Sequence, residues 1–370
     1  MEQGGVISPA ASSGNAAEAS AEARLRLSVI VPARNEAAVL GECLRSLVGQ
    51  SDVGFALGAE WELIVVDDDS TDRTRAIAQA ASAGREGVTV LSAPRLDQSD
   101  RGGFTGKTNA CWAGAQRARG AWLLFTDADT VHEHGDLSRA LHEAKKYGVA
   151  LLSYSPRQIV GGFWQRAVMP LVFSELASVY PPKKVSDPAS RVAAANGQFL
   201  LVEREAYFAV GGHRVVGQEI LEDVALARKI KRARHAIRFR YAPDALSARM
   251  YRSLPEMVEG WTKNLALLLP SAVLVAGMQM LQFLLFFGLP ALAMRMPLLV
   301  IWQRWAILLV WLRTSWGFYA RVARSNFPAA DVAISILGVP MFCWLLLRSH
   351  LHHRVNKSVD WKGRRYKVGR

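Results

Sequence analysis

The chain has 370 residues, more than one ordinary domain needs and fewer than three, and its 51% hydrophobic and 21% charged content excludes a disordered chain. Its 29 Gly and 15 Pro exclude collagen-like material, and three widely spaced cysteines (Cys43, Cys111, Cys343) argue against a disulfide framework or zinc knuckle and read as reduced thiols. The net charge of +13 would suit nucleic acid, but residues 1–264 hold 32 Lys+Arg against 30 Asp+Glu and residues 265–370 hold 13 against 2; a basic excess confined to the most apolar part of the chain is the pattern of a membrane anchor, so no nucleic-acid partner is expected.

Residues 1–24 are small and polar without an apolar core, which predicts a disordered tail rather than a signal peptide and leaves the following domain in the cytoplasm. From Leu27 the run LSVIVPARNE reads as a strand stopping at Pro32, and AAVLGECLRSLVGQ as a helix. WELIVVDDDSTD is a second strand ending in carboxylates, TRAIAQAASA a helix, VTVLSAP a third strand, KTNACWAGAQRA a helix, and AWLLFTDADT a fourth strand closing on acids. Strands alternating with helices of this length predict βαβ units and a mostly parallel sheet, with the ligand site at the carboxyl ends of the strands. The stretch 150–264 (GVALLSYSP, AANGQFLLVEREAYFAVGGH, EDVALARKIKRARHAIRFRYAPDA) follows without a linker and continues the same domain.

After Asn264 the chain becomes lipophilic. Residues 265–294 carry no charge and are long enough to span about 30 Å of hydrocarbon. A second run, 296–312, is broken by Gln303 and Arg304, and a third, 328–347, carries only Asp331. The last 23 residues hold eight Lys+Arg and one Asp, which places the tail on the cytoplasmic side. Both ends inside require an even number of spans, and three runs do not supply one.

Asp67, Asp68 and Asp69 follow one strand, and Asp127 and Asp129 another. Like charges at a strand end are unfavourable without a cation, and Asp-x-Asp after a buried strand offers two oxygens to a hard divalent ion such as Mg²⁺ or Mn²⁺. Taken alone, the same pattern serves as a turn with capping aspartates. His132 and His134 follow this turn but lack a third zinc ligand and read as a solvated loop. No Gly-x-Gly-x-x-Gly or P-loop pattern follows any strand.

The ordered series VPARNE, VVDDDSTD, GKTNA, FTDADT, NGQFLL and LEDVALA resembles the family 2 glycosyltransferases of GT-A fold over about residues 27–264. YRSLPEMVEGWTKN and VDWKGRRY resemble the membrane-attached bacterial subgroup of ceramide-glucosyltransferase-like and carotenoid- or hopanoid-associated enzymes. The resemblance implies that Pro32, Arg34, Glu36, Asp67, Asp68, Lys107, Asn109 and Asp127 bind the donor nucleotide-sugar, that Asp127 and Asp129 hold the metal, and that Asp223 is the catalytic base with Glu222 beside it. Members often carry Gly where Asp69 stands, so a different local turn is expected there. On the acceptor side the resemblance points to Asn196, Gln198, Arg252, Trp261 and Lys263, although the usual Arg-Trp motif is replaced by GWTKN. Trp261 and Lys263 equally fit an anchor at headgroup level. The acids of LEDVALA also suit a helix start, where amide N–H groups would keep Asp223 ionised with a low pKa.

These readings together predict a tail over 1–24, a GT-A catalytic domain over 25–264, a membrane region of two to four segments over 265–347 and a basic cytoplasmic tail over 348–370. The expected function is an inverting, metal-dependent transfer of sugar from a nucleotide-diphosphate sugar of UDP type to a lipid-like acceptor, by a multi-pass protein of the cell membrane. The alternatives are a catalytically silent scaffold on the same fold, which the intact acids argue against, and a nucleotidyltransferase, which the late LEDVALA and GWTKN segments fit poorly. A channel would need more polar residues in its spans.

Overall fold

The structure, a computed structural model, describes residues 25–50, 52–96, 104–269, 271–295, 300–356, 358–361 and 364–367; the predicted tail over 1–24 lies outside them. The chain opens with β1 (Leu27–Ala33), α1 (Leu40–Val48), β2 (Trp61–Asp67), α2 (Thr74–Ser82), β3 (Val88–Ser92), α3 (Gly106–Arg117) and β4 (Trp122–Phe125), in the predicted alternation. Next come β5 (Thr130–His132), α4 (Asp136–Lys146), β6 (Leu151–Ser155), β7 (Arg157–Gln158), α5 (Gly162–Val179), α6 (Pro182–Ser186), β8 (Leu200–Glu203), α7 (Arg204–Ala209) and α8 (Glu222–Arg232). The last elements are β9 (Ile237–Tyr241), β10 (Leu246–Ala248), α9 (Leu254–Leu268), α10 (Ala272–Arg295), α11 (Ile301–Val322), α12 (Ala329–Leu351), β11 (Ser358–Trp361) and β12 (Arg364–Lys367).

Seven strands form one sheet in the order β3-β2-β1-β4-β8-β6-β9, parallel except for β8, which runs antiparallel to both neighbours. A second sheet orders β5-β10-β7. The apolar runs have helices on both faces of the sheet, so β1 and β2 are buried along almost their whole length. The period of two sends Val29 and Val31 to the face packed by Leu40 and Leu44 of α1, and Ile30 to the face packed by α3 and α8.

A third apolar cluster lies outside the sheet. Leu171 and Val172 of α5 and Met257, Trp261 and Leu265 of α9 pack with Phe318 of α11 and with Val339, Phe342 and Leu346 of α12. α12 approaches α5 so closely that a Cβ at Gly338 would run into the Ala167 carbonyl. Among the described residues, α10 and α12, the latter extended to Arg354, are long and apolar enough to cross a membrane. α11, which contains Gln303, Arg304 and Arg313, does not meet that measure. Within the predicted basic tail, β11 and β12 pair as an antiparallel hairpin.

Candidate active site

The loops after β1 and β2 are laced together. Arg34 Nη1 donates to the carbonyls of Asp68 (2.6 Å) and Asp69 (3.0 Å), and the amide of Glu36 donates to Thr74 Oγ1 (2.7 Å). Pro32 sits in β1 opposite Val66, and Asp67 closes β2 opposite Ala33. Asp67 and Asp68 are both 5% exposed; Asp67 has Arg75 at 3.7 Å, and its Oδ1 is buried with no hydrogen-bond partner. Asp69 has φ 56°, so it adopts the left-handed conformation that a glycine would take there, and the turn survives the substitution.

α3 opens with a capping box between Thr105 and Thr108, and Thr108 Oγ1 also donates to the Gly217 carbonyl (2.7 Å). This fixes Lys107 in the first turn, where its Nζ lies 2.8 Å from Asp127 Oδ1 and 2.8 Å from Glu222 Oε1. One lysine thus bridges an acid of the Asp-x-Asp turn and an acid of α8. Asn109 is buried, and its amide nitrogen donates to the Pro94 carbonyl (2.7 Å), tying α3 to the segment after β3. Behind the Asp-x-Asp turn, Thr130 Oγ1 donates to the Asp127 carbonyl (2.7 Å), and the Arg249 amide donates to the Asp129 carbonyl (3.2 Å). His132 is corrected from a solvated loop to a buried residue: Nδ1 lies 2.7 Å from Asp136 Oδ2, and Nε2 faces Thr126 and Thr130. His134 is exposed.

Glu222 and Asp223 occupy the first turn of α8. Asp223 Oδ2 accepts from the Gly197 amide (2.8 Å) and Oδ1 from the Val224 amide (2.7 Å). A side chain at position 197 would displace the lysine from its two carboxylates, because its Cβ would lie 2.8 Å from Lys107 Nζ. Burial and the Glu222 charge push Asp223 up to about 6, outweighing Lys107 and the two amides. The expectation of a low Asp223 pKa is therefore overturned: helix-start amides are present, but desolvation and a like charge beside it win. Glu222 goes the other way. Burial opposes its ionisation, yet the charge and hydrogen bond of Lys107, helped by Lys263, hold it below the usual carboxylate range. Burial likewise works against the Lys107 ammonium, and Asp127 and Glu222 nonetheless hold its pKa well above the usual lysine value.

The predicted acceptor residues divide. Lys263, on α9, reaches the Glu222 region with its charge. Arg252 is exposed before α9, its amide donating to Glu256 Oε2 (2.8 Å). Asn196 Oδ1 accepts from the Gln198 amide (3.0 Å). Gln198 is buried, 4% exposed, and its Oε1 accepts from Gln158 Nε2 (3.0 Å). Trp261 is buried as well, which corrects its headgroup-anchor reading. It is 2% exposed, packs on Tyr251 and Phe173, and donates Nε1–H to Met169 Sδ (3.3 Å), so it anchors the helical core and no headgroup.

Two residues with a place here went unassigned from sequence. Gly197 lay inside the NGQF motif, which was the available signal. Tyr180, at the end of α5, donates to the Leu268 carbonyl (3.2 Å), hydrogen-bonds Arg228 and feels the charge of Asp223; no sequence pattern marks it. His213 is buried beside Phe125 with Nδ1 2.9 Å from Tyr207 Oη, and burial pushes its pKa down to about 4, so it is neutral.

Residues 28–207 match the family described as Glycosyl transferase family 2. A 4,4'-diaponeurosporenoate glycosyltransferase of Staphylococcus haemolyticus is 27% identical over 356 residues, covering 92% of this chain and 88% of that protein. The enzyme of the same name from Staphylococcus aureus is 29% identical over 245 residues, 65% of this chain and 60% of that protein. The structure of a mannosyltransferase from Pyrobaculum calidifontis, in complex with GDP-Man and Mn2+, superposes with a TM-score of 0.52 at 17% identity, covering 90% of this chain and 88% of that one. The sheet order, the helices on both faces and the matched segment agree: residues 28–207 carry a family 2 glycosyltransferase domain, and the fold is GT-A.

Proposed function

We propose that the chain is an inverting, metal-dependent transferase that moves sugar from a nucleotide-diphosphate sugar of UDP type to a hydroxyl or carboxyl of a carotenoid-type lipid acceptor. It acts at the cytoplasmic face of the cell membrane, with residues 25–264 as catalytic domain and 265–347 as membrane region. The observation that carries the reading is the Lys107 bridge, 2.8 Å to Asp127 and 2.8 Å to Glu222, which brings the donor-side turn and the α8 acids to one point beside Asp223. The carotenoid-type acceptor is supported by the names of the staphylococcal relatives, and membrane attachment by the two apolar helices.

Asp127 and Asp129 offer the hard oxygen donors that Mg²⁺ or Mn²⁺ takes. Among the described residues no group of three His, Cys, Asp or Glu side chains could hold an ion by itself, so the donor set fits an ion completed by diphosphate oxygens and water. When bound, such an ion neutralises charge on the departing diphosphate. The rest is work for side chains. The acceptor oxygen attacks the anomeric carbon from the face opposite the diphosphate, the carbon–oxygen bond to the diphosphate breaks, and a hydroxyl acceptor gives its proton to Asp223. Lys107 exchanges its hold on Asp127 for the leaving diphosphate, whose charge is largest in the transition state. A base titrating near 6 is matched to neutral operation, being ionised at pH 7 yet a better proton acceptor than an ordinary aspartate.

Transfer from UDP-sugars to an extracted carotenoid acceptor, with donor affinity measured separately, tests the assignment. Asp223→Asn should bind donor as the wild type does and lower single-turnover transfer roughly 10²- to 10⁴-fold, the scale of losing a general base. Near-normal transfer by Asp223→Asn, with Glu222→Gln inactive, would show that the base is misassigned.

A further inference from the structure

Directly behind the Asp-x-Asp turn lies a polar pair that the reaction does not use. His132 ends β5 and Asp136 opens α4, and both side chains are fully buried. His132 Nδ1 donates to Asp136 Oδ2 (2.7 Å), and Nε2 lies 3.1 Å from Thr126 Oγ1 and 3.3 Å from Thr130 Oγ1. Each hydroxyl has one proton to give, and each has a carbonyl in front of it: Thr130 donates to that of Asp127 (2.7 Å) and Thr126 to that of Gln198 (2.8 Å). With both protons given to carbonyls, the ring is the donor to the two oxygens, which stand 3.0 Å apart.

The two carbonyls belong to opposite halves of the site. Asp127 leads the Asp-x-Asp turn, whose other end is held by the Arg249 amide on the Asp129 carbonyl (3.2 Å). Gln198 follows Gly197, the residue whose amide holds Asp223 Oδ2 (2.8 Å). One imidazole therefore joins the donor-side turn to the loop that holds the α8 acid. Its own position is fixed from below. The His132 amide donates to Ser46 Oγ of α1 (3.0 Å), and Gln50 accepts from the Gly135 amide (2.9 Å) and donates to the Glu133 carbonyl (2.9 Å), so the turn into α4 cannot slide. Asp136 stands in the first turn of α4, where amide N–H groups favour a carboxylate. Apolar side chains would fill this space without taking polar groups out of water, so core filling does not account for the pair.

We propose that the His132–Asp136 pair is a positioning device: it locks the Asp-x-Asp turn against the loop carrying Gly197, so that Asp127 and Asp129 stand preset for a divalent ion and its diphosphate. The inference rests on the metal binding proposed above and goes beyond it, since both residues are sealed from solvent and so from any substrate. Groups that hold a metal ligand in place through hydrogen bonds alter metal affinity by roughly 10- to 100-fold when they are lost. Asp127 is the sensitive point. Its side chain also meets Lys107 (2.8 Å), so a turn left loose can settle on the lysine instead of on an ion.

The test is binding of Mn²⁺ to the full-length protein in detergent, at saturating UDP or GDP, whichever the wild type binds, read from the free-Mn²⁺ signal in electron paramagnetic resonance. Asp136→Asn keeps the shape and takes away the charge. His132→Phe combined with Asp136→Leu replaces the pair by apolar side chains and leaves no buried charge alone. Leu141→Ala truncates a core residue of the same helix and serves as the stability control. Thermal unfolding is recorded for each, and binding is measured below every Tm. Both pair variants should weaken Mn²⁺ binding roughly tenfold or more, while Leu141→Ala loses Tm and binds as the wild type does. Wild-type Mn²⁺ affinity in the pair variants, whatever their Tm, overturns the proposal, makes the pair a core contact and leaves the metal reading standing. Equal weakening in Leu141→Ala overturns it too, because loosening of the whole domain would then be the cause. If the double variant does not fold, Asp136→Asn decides alone. A wild type that binds no Mn²⁺ with either nucleotide removes the metal reading itself, and this proposal with it.

Discussion

Asp67 and Asp68 end a strand and are held by the loop that follows the neighbouring strand, whereas Glu222 and Asp223 begin a helix and are held by Lys107 of α3 and the amide of Gly197. On the donor side, backbone and arginine contacts within two adjacent βα units fix the turn. On the α8 side, two consecutive carboxylates share one lysine unequally. Glu222, in direct contact with it, is held down, and Asp223, which receives only its charge at longer range, is pushed up to about 6. Charge neutralisation inside a site depends on which oxygen the cation touches, and one residue of offset on a helix decides it.

The largest expected effect breaks the donor side. Asp129→Ala should lower transfer roughly 10²- to 10³-fold, the scale of losing one charge-stabilising contact, while circular dichroism stays that of the wild type. Excess chelator should do the same to the wild type, and full turnover in chelator would remove the metal from the donor side. A smaller effect sharpens the contrast across the Lys107 bridge. In the wild type, kcat/KM should fall as pH drops through about 6, because the base works deprotonated. Lys107→Met removes a cation that lowers the Asp223 pKa, so the acid limb should move to higher pH as the plateau drops. An unmoved limb would mean that another group controls it. The smallest effect tests the donor-side turn. Asp69 is exposed and left-handed, so Asp69→Gly should change stability by less than about 1 kcal/mol, read as a small shift in Tm with transfer intact.

Much of the donor side could be read from sequence because its determinants are local. The apolar runs ending in Pro32, Asp67 and Phe125 carry their own strand period, and the acids that follow belong to the same turn, so the alternation and the sheet edge were legible. The α8 side was legible only as a motif. Nothing near Asp223 in sequence announces that burial will raise its pKa, because the burial comes from packing around a helix whose partners lie on α3 and before β8. The burial of Gln198 and Trp261 was illegible for a related reason: polar and amphipathic residues beside a site motif look available until a neighbour such as Gln158 or Met169 closes over them.

The two apolar helices mark the boundary most sharply. The sequence by itself determined that α10 and α12 are apolar enough to leave water, because transfer free energy is a property of the side chains in the segment. Only the tertiary structure decided what takes them out of it. α12 spends one face on α5 and α9 through Gly338, Asp331 and Ser349, and α10 turns only a narrow side, with Ala272, Ala276 and Gln279, into the molecule. Hydropathy sums a helix over every direction, and packing gives each direction a different neighbour.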